Sequence, residues 1–199
     1  MTIIVSDFMS LDGVVQAPGG PDEDTDGGFR NGGWSMPFFD PETMGPVLDE
    51  VLQSTGALVF GRRTWQTMAA AWPARAGDPF ADRMNEIPKY VASRTLTQGD
   101  LGWSNSTLLP PDNAIGAVAG LRESTPGLQV MGSPCLAAQL ISNGLVDEYR
   151  LMIEPILLGG GKRLFPDDGQ ARTLELISTT TSNTGVLICT YRLASARHR

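Results

Sequence analysis

Histidine is almost missing from this 199-residue chain, since His198, the second residue from the end, is the only one. A Ser-His-Asp or Cys-His nucleophile, a histidine-ligated metal and a histidine general base would all depend on this side chain in a terminal segment that tends to fray. The two cysteines, Cys135 and Cys189, lie far apart and form no Cys-x-x-Cys pair, so neither a metal site nor a redox motif is predicted. Any chemistry must therefore come from carboxylates, hydroxyls, backbone amides or a cofactor.

Long apolar runs and an excess of basic residues are also lacking. No stretch approaches the ~20 apolar residues of a membrane-spanning helix, the N-terminus has no basic leader, and the net charge is −7. Because nucleic-acid phosphates bind concentrated positive charge, this acidic chain is not expected to bind nucleic acid. We therefore expect a soluble, cytoplasmic protein with neither a membrane nor a nucleic-acid partner.

Four acidic residues lie close together in the Gly/Pro-rich segment 17–33, namely Asp22, Glu23, Asp24 and Asp26. The length and composition of this segment predict an irregular loop, either a functional lid or a disordered stretch. A solvated acidic surface is the expectation for the four acids. The alternative is a calcium loop, although the Asp-x-Asp-x-Asp-Gly spacing of such loops is absent.

Hydrophobic periodicity predicts an α/β fold. Short apolar strands are predicted at 2–8, 57–60, 89–92 and 128–131, and helical patterns follow at 40–56, 62–70, 80–85, from 112 onwards and from 134 to 144. Three further strands, at 148–158, 174–181 and 186–193, follow one another without a helix. This order predicts a mainly parallel sheet that ends in an antiparallel portion, within one domain spanning residues 1–199.

Two of the buried strands end in a glycine that is followed at once by a helix. The two turns are Gly61-Arg62-Arg63-Thr64 and Gly132-Ser133-Pro134. A helix N-terminus offers unpaired amides and partial positive charge, and glycine lets a phosphate approach the backbone. After another strand, Ser93 and Arg94 offer a hydroxyl and a guanidinium, so that Arg94 with Arg62 or Arg63 would suit the 2′-phosphate of NADP. Either these turns bind a dinucleotide, or they are the ordinary strand–helix turns of an α/β protein.

The motifs resemble two related enzyme families. Val-Phe-Gly-Arg-Arg-Thr-Trp at 59–65, Val-Ala-Ser-Arg at 91–94 and Val-Met-Gly-Ser at 130–133 resemble dihydrofolate reductases in order and spacing. Ser-Leu-Asp-Gly at 10–13, Gly-Leu-Val-Asp-Glu at 144–148 and the segment 155–165 resemble the C-terminal reductase domain of the bifunctional riboflavin-biosynthesis deaminase/reductase. The resemblance implies the three-layer fold that both families share, with a mixed, mainly parallel sheet, helices on both faces and an antiparallel C-terminal portion. It also implies NADPH as the cofactor.

The resemblance assigns roles to particular positions. The implied cofactor-binding residues are Val15, Gly61, Arg62, Arg63, Thr64, Ser93, Arg94, Met131, Gly132 and Ser133. Trp34 resembles an aromatic residue that precedes the substrate-facing helix of folate reductases. With Phe38 and Phe39 it is a candidate for stacking on a planar substrate, although aromatics at this spacing also occur in cores.

Two differences between this chain and the families it resembles concern the expected substrate. Folate reductases carry a proton-managing carboxylate early in the substrate-facing helix, and an ungapped count back from Gly61 places Gly45 at that position. The acids nearby are Asp40, Glu42, Asp49 and Glu50, which would reach the pocket only in a shifted register. Riboflavin-pathway reductases carry a glutamate before paired glycines, whereas this chain has Met131 and, in place of the second glycine, Ser133. Dihydrofolate is therefore not the expected substrate.

We predict an NADPH-dependent reductase that adds hydride to a C=N or C=O bond of a small heterocycle or a ribosylaminopyrimidine. The catalytic candidates are Asp12, which otherwise caps its own turn, and Glu154, which otherwise points to solvent. The alternatives are an NADP(H)-binding module without turnover and a homodimeric interaction protein. A homodimer is expected, with the apolar face around Leu151, Ile153 and Ile156 at its interface.

Overall fold

The structure, a computed structural model, describes residues 1–194. Its strands are β1 (Ile3–Ser10), β2 (Ala57–Gly61), β3 (Lys89–Ala92), β4 (Ser106–Leu108), β5 (Leu128–Val130), β6 (Glu148–Glu154), β7 (Leu174–Thr181) and β8 (Leu187–Leu193). Its α-helices are α1 (Pro41–Gln53), α2 (Arg62–Ala71), α3 (Pro79–Glu86), α4 (Ala114–Ser124) and α5 (Pro134–Ser142). The terminal segment with His198 lies outside the described residues.

All the strands belong to one eight-stranded sheet in the order β4-β3-β2-β5-β1-β6-β8-β7. The pairs from β4 to β6 are parallel, whereas β8 runs antiparallel to both β6 and β7. The predicted mixed sheet with an antiparallel C-terminal portion is therefore confirmed. Its parallel part brings the carboxyl ends of β1, β2, β3 and β5 to one edge, where ligands bind in open α/β sheets.

Strand β2 shows why the fold has three layers. Its side chains alternate between the two faces, and both faces are buried. Ala57 and Val59 pack in the cluster that α4 and α5 cover, while Leu58 and Phe60 pack in the cluster with residues of α1, α2 and α3. Helices therefore cover both faces of the sheet, as predicted.

The start of α1 is determined locally and then fixed by a distant contact. Asp40 is the N-cap, its carboxylate accepts a hydrogen bond from Glu42 N at 3.1 Å, and Pro41 occupies the first turn. The same carboxylate accepts two hydrogen bonds from Asn183, in the β7–β8 turn. Asp40 thus joins α1 to the antiparallel end of the sheet.

Several predicted boundaries were wrong. Strand β1 continues to Ser10, which pairs with Glu154 in β6. Strand β6 ends at Glu154 instead of residue 158, because Pro155 has no N–H to donate. The three-residue edge strand β4 (Ser106–Leu108) was missed, since it is too short to show a hydrophobic period.

The face predicted to form a dimer interface is not at the sheet edge. Strand β6 lies between β1 and β8, and Leu151 is buried in the main core. The two edge strands are β4 and β7, and Leu176 and Ile177 of β7 are exposed. A dimer that extended the sheet would therefore use one of these two edge strands and not β6. Within residues 1–194, no helix combines the length and apolarity that crossing a membrane requires.

Candidate cofactor and substrate site

A cavity of about 440 Å³ lies at the carboxyl ends of the parallel strands. The turns after β2, β3 and β5 contribute residues 62–64, 92–95 and 131–135, and β1 contributes residues 6–8. The segment 15–18 and three acids of the 17–33 loop complete one side. The turns that the sequence singled out are therefore brought together around one space.

The turn after β2 and the turn after β5 pack directly against each other. Gly61 N donates a hydrogen bond to Gly132 O at 3.4 Å. A Cβ atom on Gly61 would lie 1.9 Å from Ser133 Oγ, and a Cβ on Gly132 would lie 3.0 Å from Thr64 Oγ1. Gly132 also has a φ of +76°, in the left-handed region that favours glycine. Both glycines are thus needed for the close approach of the two turns.

Two helices begin at this contact, and the amides they offer differ, since Pro134 at the start of α5 has no N–H and Cys135 N is the first amide of that helix. Helix α2 begins directly after Gly61, which has no side chain to cap it. Helix α5 begins after Ser133, whose hydroxyl makes no capping hydrogen bond within residues 1–194. Each N-terminus carries about half a positive charge. Together with the glycine contact, they form a cradle whose chemistry fits a pyrophosphate.

The arginines near the cradle differ in their partners. Arg62 and Arg94 line the cavity, and neither forms an ion pair in the described part of the chain. Arg63 instead pairs with Asp24 at 2.8 Å and with Asp26 at 2.5 Å. Of the two sequence candidates for a 2′-phosphate contact beside Arg94, the geometry therefore favours Arg62.

Ser93 lines the cavity, but its hydroxyl has a structural role. The oxygen accepts hydrogen bonds from Thr95 N at 3.1 Å and Leu96 N at 3.0 Å. It therefore shapes the turn that presents Arg94. A second groove of about 520 Å³ adjoins the cavity and is lined by Gly61, Arg62, Arg94 and Ser133.

Two of the four acids of the 17–33 loop, Asp24 and Asp26, form ion pairs, contrary to the expectation of a solvated surface, whereas Asp22 is exposed as expected. Asp24 and Asp26 bind Arg63 on α2 and also Lys162, whose ammonium lies 2.5 Å from Asp24 and 3.1 Å from Asp26. We call these four side chains the loop ion-pair cluster. Hydrogen bonds from Lys162 and Arg63 lower the pKa of Asp26. The cluster fixes the loop over one side of the cavity.

The buried side-chain amide of Gln16 also holds the 17–33 loop in place. The side chain of Gln16 donates to Asp24 O and Asp26 O at 3.0 and 3.1 Å, and its Oε1 accepts from Lys162 N at 2.9 Å. The backbone of residues 13–15 also bonds to residues 162–164. Position 161 lies below Phe29, where a Cβ on Gly161 would come within 2.9 Å of the ring. Gly161 thus permits close packing against Phe29, whereas a Cβ on Gly159 or Gly160 would meet nothing within 4 Å.

The loop ion-pair cluster leads to the first prediction. Asp24→Asn is expected to raise the rate of trypsin cleavage after Arg30, an exposed residue of the loop, about fivefold, since weakening two partly buried ion pairs costs about 1 kcal/mol. High salt should have the same effect on the wild type. Asp22→Asn, an exposed acid of the same loop, is the control and should leave the cleavage rate unchanged. Equal cleavage of the Asp24 variant and the wild type would contradict this role.

Asp12, the first catalytic candidate, lies outside the cavity lining. Its carboxylate accepts hydrogen bonds from Ser10 Oγ at 2.7 Å, Leu158 N at 3.1 Å and Gly159 N at 2.9 Å. The hydrogen bond from Ser10 is the main cause that lowers the pKa of Asp12 to about 2. Asp12 therefore joins the turn after β1 to the segment after β6, which is a structural role.

Glu154, the second candidate, is fully buried and does not point to solvent. Ser35 Oγ donates to its Oε1 at 2.5 Å, and its Oε2 has no hydrogen-bond partner within residues 1–194. Burial raises the pKa of Glu154 to about 7. Its carboxyl group lies beneath the segment that leads to α1, outside the cavity.

The three aromatic candidates also lie elsewhere. The indole of Trp34 is buried and donates to Gln16 O at 2.7 Å. Phe38 packs against the small core cluster that contains Met44, and Phe39 is exposed. The wall that α1 presents to the cavity consists of aliphatic side chains, namely Val47, Leu48 and Val51. The acids Asp49 and Glu50 of α1 are exposed.

Two acids that sequence reasoning missed do line the cavity. Asp7 lies in the middle of β1, and its Oδ2 is buried without a hydrogen-bond partner among the described residues. Glu23 of the 17–33 loop lies on the same cavity. Burial, with a smaller contribution from the charge of Glu23, raises the pKa of Asp7 well above its usual value. The sequence could have identified Asp7 as an unusual acid, because side chains alternate along a strand. Asp7 therefore shares a strand face with Val5 and Met9, both of which are buried.

The sheet order, the three layers and the cradle define a protein with the dihydrofolate reductase-like α/β fold. The family described as RibD C-terminal domain matches residues 1–188, so the chain belongs to that family. The uncharacterized protein YyaP of Bacillus subtilis (strain 168) is 29% identical over 196 residues, which is 95% of this chain and 93% of that protein.

Solved structures share the fold at low sequence identity. A putative riboflavin biosynthesis protein from Shewanella sp. PV-4 matches with a TM-score of 0.71 and 19% identity, over 98% of this chain and 100% of that one. A pyrimidine reductase-like protein from Corynebacterium diphtheriae matches with a TM-score of 0.61 and 15% identity, over 98% and 92% of the two chains. Dihydrofolate reductase from Enterococcus faecalis, complexed with NADP(H) and RAB-propyl, matches with a TM-score of 0.60 and 13% identity, over 98% and 97%.

Proposed function

We propose that this protein is an NADPH-dependent reductase of a small heterocyclic substrate of the pterin or ribosylaminopyrimidine kind. The observation that carries the proposal is the cradle of Gly61, Gly132 and Ser133, where two helices begin beside Arg62 and Arg94, which form no ion pair within residues 1–194. Membership of the RibD C-terminal domain family and the NADP(H) complex of one structural relative support the choice of cofactor.

The residues present fit NADPH part by part. The amides of the first turn of α2 and Cys135 N of α5 would bind the pyrophosphate. The groove lined by Gly61, Arg62, Arg94 and Ser133 would take the adenosine end, with the two guanidinium groups on its 2′-phosphate. When bound, the dihydronicotinamide supplies hydride, and the protein orients the substrate and excludes water.

The substrate side of the cavity has a different character. Phe8, Val47 and Leu48 form apolar walls, while Asp7 and Glu23 add carboxyl groups. Apolar walls with a few polar groups suit a planar heterocycle whose N–H or C=N groups face the carboxyls. Since Arg63 and Lys162 already bind Asp24 and Asp26, cationic groups are scarce on this side.

The test uses Cys135, which is exposed and lines the cavity, whereas Cys189 is buried. NADPH is expected to slow modification of the Cys135 thiol by a maleimide, and NADH to do so only at higher concentration. Arg62→Ala and Arg94→Ala should each reduce the preference for NADPH over NADH about tenfold, because each removes a charged hydrogen bond worth about 1.4 kcal/mol or more.

Arg75→Ala is the matched control, since that guanidinium lies over the Trp72 ring, outside the cavity. It should leave the NADPH preference unchanged. If neither Arg62→Ala nor Arg94→Ala changes the preference, the 2′-phosphate assignment is wrong. If NADPH at micromolar concentration gives no protection of Cys135, the proposed cofactor is wrong.

A binding module without turnover is the second candidate. The observation that favours it is Gly45, which stands where folate reductases carry the helix carboxylate and lies outside the cavity. Binding of NADPH without its oxidation, across a panel of pterins and aminopyrimidines, would support this candidate. Homodimer formation stays a prediction.

A further inference from the structure

Asp7 occupies an unusual position for an acid. It lies in the interior of β1, between Val5 and Met9 on the same strand face, and it lines the cavity. Its Oδ2 is buried and has no hydrogen-bond partner in the part of the chain that the structure describes. An ionised carboxylate without a partner is costly in such a place, so the neutral acid is favoured there.

The charges around Asp7 do not offset this cost. The other acids on the cavity are Glu23, Asp24 and Asp26. The bases on the cavity are Arg62, Arg63, Arg94, Arg150 and Lys162.

Most of these bases already have partners. Arg63 and Lys162 belong to the loop ion-pair cluster, and Arg150 pairs with Glu148 at 2.7 Å. Arg62 and Arg94 lie at the cradle end. Glu23 is the neighbour whose charge acts on Asp7, and it raises the pKa of Asp7 further.

We propose that Asp7 is the proton donor of this cavity, where Glu23 lies on the same lining. The inference rests on the proposed reductase function. Reduction of a C=N bond adds one hydride to carbon and one proton to nitrogen, and a dihydronicotinamide is the reductant. Asp7 gives its proton to the nitrogen as the N–H bond forms, is left as a carboxylate, and then takes up a proton from water. It thereby fills the role for which α1 has no acid at Gly45.

The other buried or nearby acids do not fit this role. Three hydrogen bonds favour the ionised form of Asp12, and Asp12 lies outside the cavity lining. Glu154 is buried beneath the segment that leads to α1. Asp24 binds two cations. Asp7 combines access to the cavity with an uncommitted oxygen.

The first experiment needs no substrate. A carboxyl whose pKa is higher in the folded than in the unfolded chain stabilises the fold at low pH, and this stabilisation is lost as pH rises through the folded pKa. Burial also raises the pKa of Glu154, so Glu154 would contribute a pH dependence of the same sign. The comparison is therefore made between the single variant Glu154→Gln and the double variant Glu154→Gln/Asp7→Asn. The urea midpoint of Glu154→Gln should fall between pH 5 and pH 9, and that of the double variant should fall less. Equal pH dependence of the two would overturn the inference.

The second experiment measures NADPH oxidation with 7,8-dihydropterins and a ribosylaminopyrimidine as probes. Asp7→Asn should lower kcat at least about 100-fold while leaving protection of Cys135 by NADPH unchanged. Glu23→Gln should move the alkaline limb of the wild-type pH profile to lower pH, because it removes the charge that raises the pKa of Asp7. Asp49→Asn, on the exposed side of α1, is the control and should turn over normally.

The outcomes separate this inference from the proposed function. A wild type that reduces a probe and an Asp7→Asn variant that reduces it equally fast would overturn the role of Asp7 alone. A wild type that binds NADPH but reduces no probe would overturn the reductase and, with it, this inference.

Discussion

Replacement of Gly61 with alanine is expected to lower the affinity for NADPH about 100-fold. The new Cβ would lie 1.9 Å from Ser133 Oγ and 3.0 Å from Ser133 Cβ, so Ser133 must move away from the turn after β2. The free protein relieves the contact by moving Ser133, but a pyrophosphate bound by both helix N-termini would bring the turns together again. Overpacking of this kind costs about 1–3 kcal/mol, which corresponds to up to about 100-fold in affinity. Calorimetric titration measures the change.

Two further variants test the cause. In Gly61→Ala/Ser133→Gly the clashing hydroxymethyl group is absent, so most of the affinity should return. Gly120→Ala is the matched control, because a Cβ there meets nothing within 4 Å in α4. It should leave NADPH affinity unchanged and raise the free energy of unfolding by about 0.5–1 kcal/mol, since alanine favours helix. Undiminished NADPH affinity in Gly61→Ala would exclude the cradle as the pyrophosphate site.

The second large effect concerns stability, at Lys89. This lysine begins β3 and is fully buried. Its ammonium donates to Asn85 O, Ile87 O and Ser104 O at 2.9, 2.7 and 3.2 Å and lies 4.4 Å from the Trp103 ring centroid. Lys89→Met would remove this donor from one buried and two partly buried hydrogen bonds and would leave the fully buried site of the ammonium without them, and we expect it to reduce the free energy of unfolding by about 3 kcal/mol. Urea denaturation measures the loss.

The loss should depend on pH in a defined direction. Burial lowers the pKa of Lys89 to about 8, below its unfolded value of about 10.4. The wild type therefore becomes less stable, relative to the variant, as pH falls through about 8, and the difference between them is larger at pH 9.5 than at pH 7. Lys162→Met is the control, since its ion pairs are partly exposed and should be worth less than about 1 kcal/mol. Equal losses in the two variants would mean that the buried contacts of Lys89 do not stabilise the fold.

Much of the fold could be predicted because its signals are local. The runs that became β2 and β5 are short and wholly apolar, as strands covered on both faces must be. Asp40 and Pro41 mark the start of α1 by capping chemistry that needs no distant partner. Strand β4 has neither signal, and only its pairing with β3 reveals it.

The candidate site could be predicted only in part. Glycine at 61 and 132 is required by backbone geometry, so those positions stood out as turns. The aromatic candidates do not line the cavity. Large apolar side chains are most often buried in the core, so their presence in the sequence is weak evidence for a binding site. Trp34 satisfies its N–H inside the protein, at Gln16, instead of facing a ligand.

From the amino-acid sequence follow most of the order of strands and helices and the turns at Gly61 and Gly132, and the single terminal histidine favours a cofactor as the source of any chemistry. Only the assembled fold shows which charges are available: among residues 1–194, Arg63 is bound by Asp24, Arg62 forms no ion pair, and Asp7 Oδ2 is buried without a hydrogen-bond partner. The physical reason is that periodicity and capping act between near neighbours, whereas ion pairing and burial depend on residues far apart in the chain. Those contacts exist only once the sheet has assembled.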